Sequence, residues 1–344
     1  MLSSRKLTIF QKAVIVNTLV LSKLWYTAHV YPLPVSYVKL INRLVFGYVW
    51  SKGYDPIKRE TLMLPKTERG ISLIDIRYKS QSILTKSFLK GFCNENINFM
   101  LIYYTGIRLQ QILDVNRLPN NVSFTGTSYF DEVIKVLRQC LKIPNFPHVK
   151  TNTIYEEIKP KCRPAVEENY PLFKWKEVWR NIGFHHITPT ERDTLYRHLH
   201  EILPNNKRLF QMKKSMSPMC QLCNVEESNI HVMYFCKNVL QAVNWFKNVL
   251  NNVIKQSKWH VLELLSLNLP SLNTKERNTC LILLATYFDC VWQGRKNKVF
   301  NESLVKLIRG RILLNHFYIK KILGNGISCV FKKLLRNVRF KVKA

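Results

Sequence analysis

Acidic side chains are scarce in this chain. Its 344 residues carry 22 Asp+Glu against 53 Lys+Arg, a formal charge of +31. That excess excludes partners that are themselves strongly basic and favours polyanions, whether nucleic acid or an anionic membrane surface. Glycine is scarce too, at 11 residues, and no Gly-rich loop of the kind that cradles phosphates is present. Long apolar runs are also missing. CLILLATYFDCVW (280–292) is interrupted by Asp289, and the first apolar run is broken by Lys12, Asn17 and Lys23. Neither reaches the roughly 18 residues of a spanning helix, so no integral membrane segment is expected. The N-terminal MLSSRKLTIFQKAVIVNTL has no clean small-residue cleavage site and reads as a mature amphipathic helix.

A hydrophobic fraction of 47% and seven tryptophans imply a folded chain of two or three domains rather than disorder. The nine cysteines form no disulfide framework. Cys93, Cys140, Cys162, Cys280, Cys290 and Cys329 are scattered, which fits reduced thiols. An intracellular protein, nuclear or cytoplasmic and not secreted, is expected.

Periodicity predicts a mostly α chain. A helical region with a small β-hairpin occupies 1–92. Its first helix, about 4–30, ends at Pro32 and Pro34, and a second covers 36–50. ETLMLPKTERGISLIDI reads as two short strands around a turn at Gly70, followed by a helix over 75–92. Residues 93–165, with five prolines, read as a loosely structured connector with one helix near 129–142. Residues 166–344 read as a helical, zinc-binding domain, with helices near 190–203, 238–256, 258–267, 274–298, 302–323 and 327–338. No internal repeat is present.

The strongest motif is C-x2-C-x7-H-x4-C, formed by Cys220, Cys223, His231 and Cys236 within SPMCQLCNVEESNIHVMYFC. Three thiols and an imidazole match one tetrahedral structural Zn2+, with no coordination position left to activate water. The alternative is buried thiols beside an incidental histidine. Cys220 and Cys223 fit a tight turn, and Asn224 can adopt the left-handed backbone that such a turn needs. His231 and Cys236 pose a difficulty. Five residues apart is not one face of an α-helix, so the helix must unwind or end there.

Basic faces form the second signal. Residues 295–344 hold fourteen Lys or Arg and one acid, Glu302. Arg295, Lys296, Lys320, Lys321, Lys332, Lys333 and Arg336 interleave with apolar residues, as suits phosphate, anionic lipid or a protein groove. Residues 1–92 repeat the bias with fifteen basic and four acidic side chains. Trp25, Tyr26 and Trp292 read as core rather than as stacking platforms.

Catalytic patterns are weak. Tyr129-Phe130-Asp131-Glu132 and Tyr287-Phe288-Asp289-Cys290 each lack the adjacent aspartates of a two-metal centre. His185-His186 and His198-x-His200 lack a carboxylate or Cys spaced to complete a site.

The segments RKLTIFQKAVIVNTLVLSKLWYTAHVYPLP, INRLVFGYVWSKG and IKRETLMLPKTERGISLIDI, followed by WKEVWRNI, LHEILPNNKRLF, the tetrad segment and VWQGRKNKVF, resemble a known family. In order, they resemble the region after the catalytic palm in non-LTR (LINE-type) retrotransposon reverse transcriptases, through to its zinc-binding domain. The resemblance implies a thumb-like unit and a zinc-binding region that grip template, primer or target nucleic acid. It assigns Cys220, Cys223, His231 and Cys236 as zinc ligands, and Arg5, Lys6, Lys23, Lys58 and Arg59 as basic thumb-proximal positions. Met1 falls after where the palm would end, so the polymerase aspartates are missing. A non-catalytic nucleic-acid-binding fragment is therefore expected. The alternatives are an accessory part working with a separate reverse transcriptase palm, or a basic membrane-surface or protein-interaction module.

Overall fold

The computed structural model describes residues 7–51, 54–92, 128–140, 142–143, 148–160, 165–169, 171–254, 266–269, 272–315 and 319. They are mostly helical, and the isolated antiparallel bridge Met219–Glu226 is the β pairing among them. Residues 258–265 of the expected helix over 258–267, all of that over 327–338, and the end of that over 302–323 lie outside the described residues.

The expected first long helix is divided. α1 (Ile9–Ile15) runs through a π-helical turn (Val16–Val20) into α2 (Ser22–Thr27). Thr8 starts α1 with a capping box, its hydroxyl accepting from the Gln11 N–H while the Gln11 side chain accepts from the Thr8 N–H. Pro32 and Pro34 separate α2 from α3 (Val35–Val49), whose C-terminus is closed from outside the helix. The Lys12 ammonium donates to the carbonyls of Tyr48 (3.0 Å) and Val49 (3.1 Å) and to Ser51 Oγ (2.6 Å). A cation on the last carbonyls complements the helix dipole, and that contact ties α1 to α3.

No strand forms between residues 60 and 76, where a hairpin was expected. Instead a short α4 (Arg59–Leu62) is followed by a 3-10 turn (Lys66–Glu68). Pro65 has no N–H to give a ladder, and the chain folds back only locally, with the Ile71 and Leu73 N–H groups both donating to the Leu62 carbonyl. Arg69, at φ 84°, takes the left-handed position. Gly70 is needed for a different reason: a Cβ there would lie 1.8 Å from the Leu64 carbonyl oxygen.

α5 (Ile76–Phe92) packs against α6 (Ser128–Cys140) and α7 (Thr151–Ile158). The stretch expected to be a loose connector thus supplies two helices. They build a small core from Leu84, Phe88, Leu89, Val133, Leu137, Cys140 and Ile154.

The larger core runs from Ile9 to Ile319. α8 (Ala165–Asn169), α9 (Trp175–Ile182), α10 (Pro189–Leu199), α11 (Asn206–Gln211), α12 (Leu240–Ile254), α13 (Thr274–Asn297) and α14 (Asn301–Leu314) complete the element order. α13 is its axis. Asn273 and Glu276 cap its start, and residues 279–292 are buried on every side, as befits a helix apolar all round. α10 and α14 pack on it, and α1 reaches the same core through Phe10, which meets Tyr196 edge-on at 5.3 Å. No described helix is long and apolar enough to cross a membrane.

Candidate metal centre

The four residues of the C-x2-C-x7-H-x4-C motif converge. Their ligand atoms all lie within 4.8 Å of one another, and the group could hold a metal ion. The first half is a tight turn between the two bridge residues. The Cys220 N–H donates to the Val225 carbonyl (2.8 Å) and the Asn224 N–H to the Cys220 carbonyl (2.9 Å). Asn224 sits at φ 52°, the left-handed conformation expected for it.

The second half resolves the spacing problem. Residues His231–Phe235 form a π-helical turn in which the Cys236 N–H donates to the His231 carbonyl at 2.8 Å. Closing i to i+5 rather than i+4 brings residues five apart back to one face. Cys236 then leaves the helix in an extended conformation. The Tyr287 hydroxyl from α13 donates to the Met233 carbonyl (2.7 Å), anchoring the turn to the core.

Cys236 Sγ lies 3.9 Å from Cys220 Sγ and 3.8 Å from Cys223 Sγ. Tetrahedral coordination at about 2.3 Å per sulfur holds thiolates about 3.8 Å apart. His231 Nε2 is buried without a hydrogen-bond partner, a costly state for an imidazole nitrogen unless it takes a ligand. Burial also lowers the His231 pKa, against the opposing influence of Glu227, which favours the neutral ring a metal requires.

The thiols are not equivalent. Burial pushes the Cys236 thiol up to about 12, with Cys220 and Cys223 beside it adding to the rise. At Cys223 burial also raises the pKa, but the Lys237 N–H, the neighbouring thiols and the Lys237 charge outweigh it and lower it overall. The Lys237 N–H donates to Cys223 Sγ at 3.3 Å. Adjacent thiolates in a partly apolar setting require a compensating cation.

Around this cluster Glu227 and Ser228 are engaged, whereas the Tyr234 hydroxyl is buried without a hydrogen-bond partner. Glu227, 5% exposed, accepts from the Asn206 N–H (3.2 Å) and Asn206 Nδ2 (2.9 Å), and pairs with Arg295. Ser228 Oγ accepts from the His231 N–H at 3.2 Å. A cleft of about 440 Å³ opens beside Cys220 and His231, bordered by Asn206, Glu227, Arg295 and Phe300.

The basic positions differ in their engagement. Lys23 and Lys58 are exposed, and Lys296, also exposed, lies over the Trp292 ring. Arg59 pairs with Asp55 (2.7 Å) and lies over the Phe46 ring, while Arg295 is engaged by Glu227 and Asn206 and lies over Trp292. Arg5, Lys6, Lys320, Lys321, Lys332, Lys333 and Arg336 lie outside the described residues.

Of the weaker motifs, Asp289 is packed in the core and His200 against it, whereas His185 is exposed. Asp289 is fully buried and accepts from Thr194 Oγ1 (2.8 Å) while pairing with Arg311 (3.0 Å). His185 and His186 lie 3.9 Å apart, ring to ring, beside Phe184. His200 lies against Trp179 and Tyr196, and burial lowers its pKa to about 4.

Among the aromatics, Trp292 is buried as expected, whereas Tyr26 is 86% exposed. The amphipathic pattern marked the region as helical but did not reveal which of its faces lacks a neighbour. In comparisons with known proteins, no family model and no curated protein matches the chain.

Proposed function

We propose that this protein is a non-catalytic, zinc-stabilised nucleic-acid-binding unit of the kind its sequence resembles, the region following the palm of LINE-type reverse transcriptases. The observation carrying the proposal is the Cys220, Cys223, His231 and Cys236 cluster, set within a chain of formal charge +31. Three sulfurs and one imidazole at these separations suit Zn2+ better than the hard, oxygen-seeking cations. With four protein ligands the ion would brace the 217–240 segment and leave no position for a reacting water. The charge supplies affinity for phosphate, and binding would be mainly electrostatic.

Two measurements test the reading. Metal analysis of the purified chain should find one zinc per molecule, matching the single Cys/His group among the described residues. Binding to duplex DNA should weaken with salt at a log–log slope of about −5, the value for roughly six neutralised phosphates. A binding constant indifferent to salt would refute the nucleic-acid half, and a chain folded without zinc would refute the metal half.

A further inference from the structure

The surface least explained by the metal centre is the elbow between α2 and α3. Tyr26, Tyr31 and Tyr37 are 86%, 71% and 61% exposed, and all three fall within twelve residues of chain. Tyrosine pairs a large apolar ring with a polar tip and is enriched at interfaces. No acidic residue precedes Asp55, whereas Lys23, Lys39 and Arg43 are exposed on the same two helices. On α3, at 100° per residue, the exposed arc runs from Val35 and Lys39 through Arg43, Leu40 and Leu44 to Tyr37, so apolar side chains bridge the cations and the ring. The two cations stand one turn apart, about 6 Å along the axis.

The elbow is fixed before any partner arrives. The Tyr31 N–H donates to the Thr27 carbonyl (2.9 Å), His29 Nδ1 meets Ser87 Oγ on α5 (2.6 Å), and Pro32 and Pro34 restrict the backbone. A preformed surface loses little freedom on binding. Three carboxylates line the cleft that borders Pro32 and Lys39: Asp75 accepts from the Arg77 and Tyr78 N–H groups, Glu132 from Gln81, and Glu60 is exposed.

We infer that this elbow is a docking surface for single-stranded nucleic acid, with bases stacking on Tyr26, Tyr31 and Tyr37 and phosphates meeting Lys23, Lys39 and Arg43. Open rings decide for a single strand over a duplex, because duplex bases already stack on one another and offer no free face. Base–aromatic stacking tolerates any sequence, and cations beside the rings follow the backbone. The inference rests on the nucleic-acid reading above and specifies the strand form and the surface.

The test compares two probes on the full chain by fluorescence anisotropy at fixed salt: an oligo-uridylate of about 12 nucleotides and an RNA duplex of the same length. Replacing the three tyrosines together (Tyr26→Ala, Tyr31→Ala, Tyr37→Ala) should weaken oligo-uridylate binding by about 10-fold or more and leave the duplex unaffected. The corresponding Tyr→Phe variant keeps the rings and should retain single-strand affinity. Unchanged oligo-uridylate affinity in the alanine variant, with the parent chain binding both probes, overturns the tyrosine surface alone. A parent chain that binds neither probe sinks the nucleic-acid reading and this inference with it. If the alanine variant instead loses only its binding to vesicles of equal parts phosphatidylcholine and phosphatidylserine, the surface belongs to anionic lipid and the inference is wrong.

Discussion

The metal centre and the α2–α3 elbow are opposites. At the centre, chain, side chains and core close on one point, and Glu227, Ser228 and Tyr287 each have an assigned hydrogen bond. At the elbow, large rings stand in solvent, and exposed cations share the same two helices. The contrast separates residues that hold the fold from residues that remain free for a partner. Substitutions at the first should therefore be read in stability, and at the second in binding.

The largest break of that contrast is removal of the metal. Structural zinc contributes on the order of 10 kcal/mol to local folding, so Cys223→Ser or chelation should unfold the 217–240 segment, read as lost hydrogen-exchange protection there. Protection that survives chelation would make the centre no more constrained than the elbow. Next is Glu227→Ala, which removes the acceptor of the Asn206 N–H and the ion-pair partner of Arg295 in a mostly buried site, while Asn206 Nδ2 keeps the Met219 carbonyl. A loss of about 3 kcal/mol is expected in denaturant unfolding.

A smaller effect comes through pH. The folded-state pKa of His200 is lowered by burial to about 4, below its ordinary value of 6.5. Between those values the unfolded chain binds a proton that the folded chain refuses, so this contribution is present above pH 6.5 and is lost as pH falls toward 4. His200→Phe should flatten the slope of stability against pH over that window. Smallest of all, Tyr26→Ala or Tyr37→Ala should change stability by no more than about 0.5 kcal/mol in thermal melts, since neither side chain supports the core. A larger loss would show that the elbow is part of the scaffold.

Much of this was legible in the amino-acid order, and the limits have physical causes. The tetrad and the left-handed Asn224 follow from ligand chemistry and turn stereochemistry, which act over a few residues. Apolar alternation around Leu62 and Leu73 looked like strands because buried positions recur there. Yet Pro65 and the close approach of Gly70 to Leu64 forbid a ladder and give a helical turn with a local return. Charge counting treats Arg295 and Lys23 alike. Only the fold reveals that Arg295 is committed to Glu227 whereas Lys23 is exposed. Tyr26 was placed in the core because its helical spacing permits either face, and exposure depends on neighbours distant in sequence.

The π-turn between His231 and Cys236 gives Phe235 an unusual standing. Its side chain is 55% exposed, lines neither the cleft nor the core, and meets the Tyr234 ring edge-on at 5.0 Å. The number of residues matters more than this side chain. With Phe235 deleted, the two ligands would stand four apart, a spacing that an ordinary α-helix already brings to one face, and the i-to-i+5 closure would have no task. In this stretch the chain carries its instruction as a count: four residues between the ligands call for a π-turn, where three would call for an α-helix.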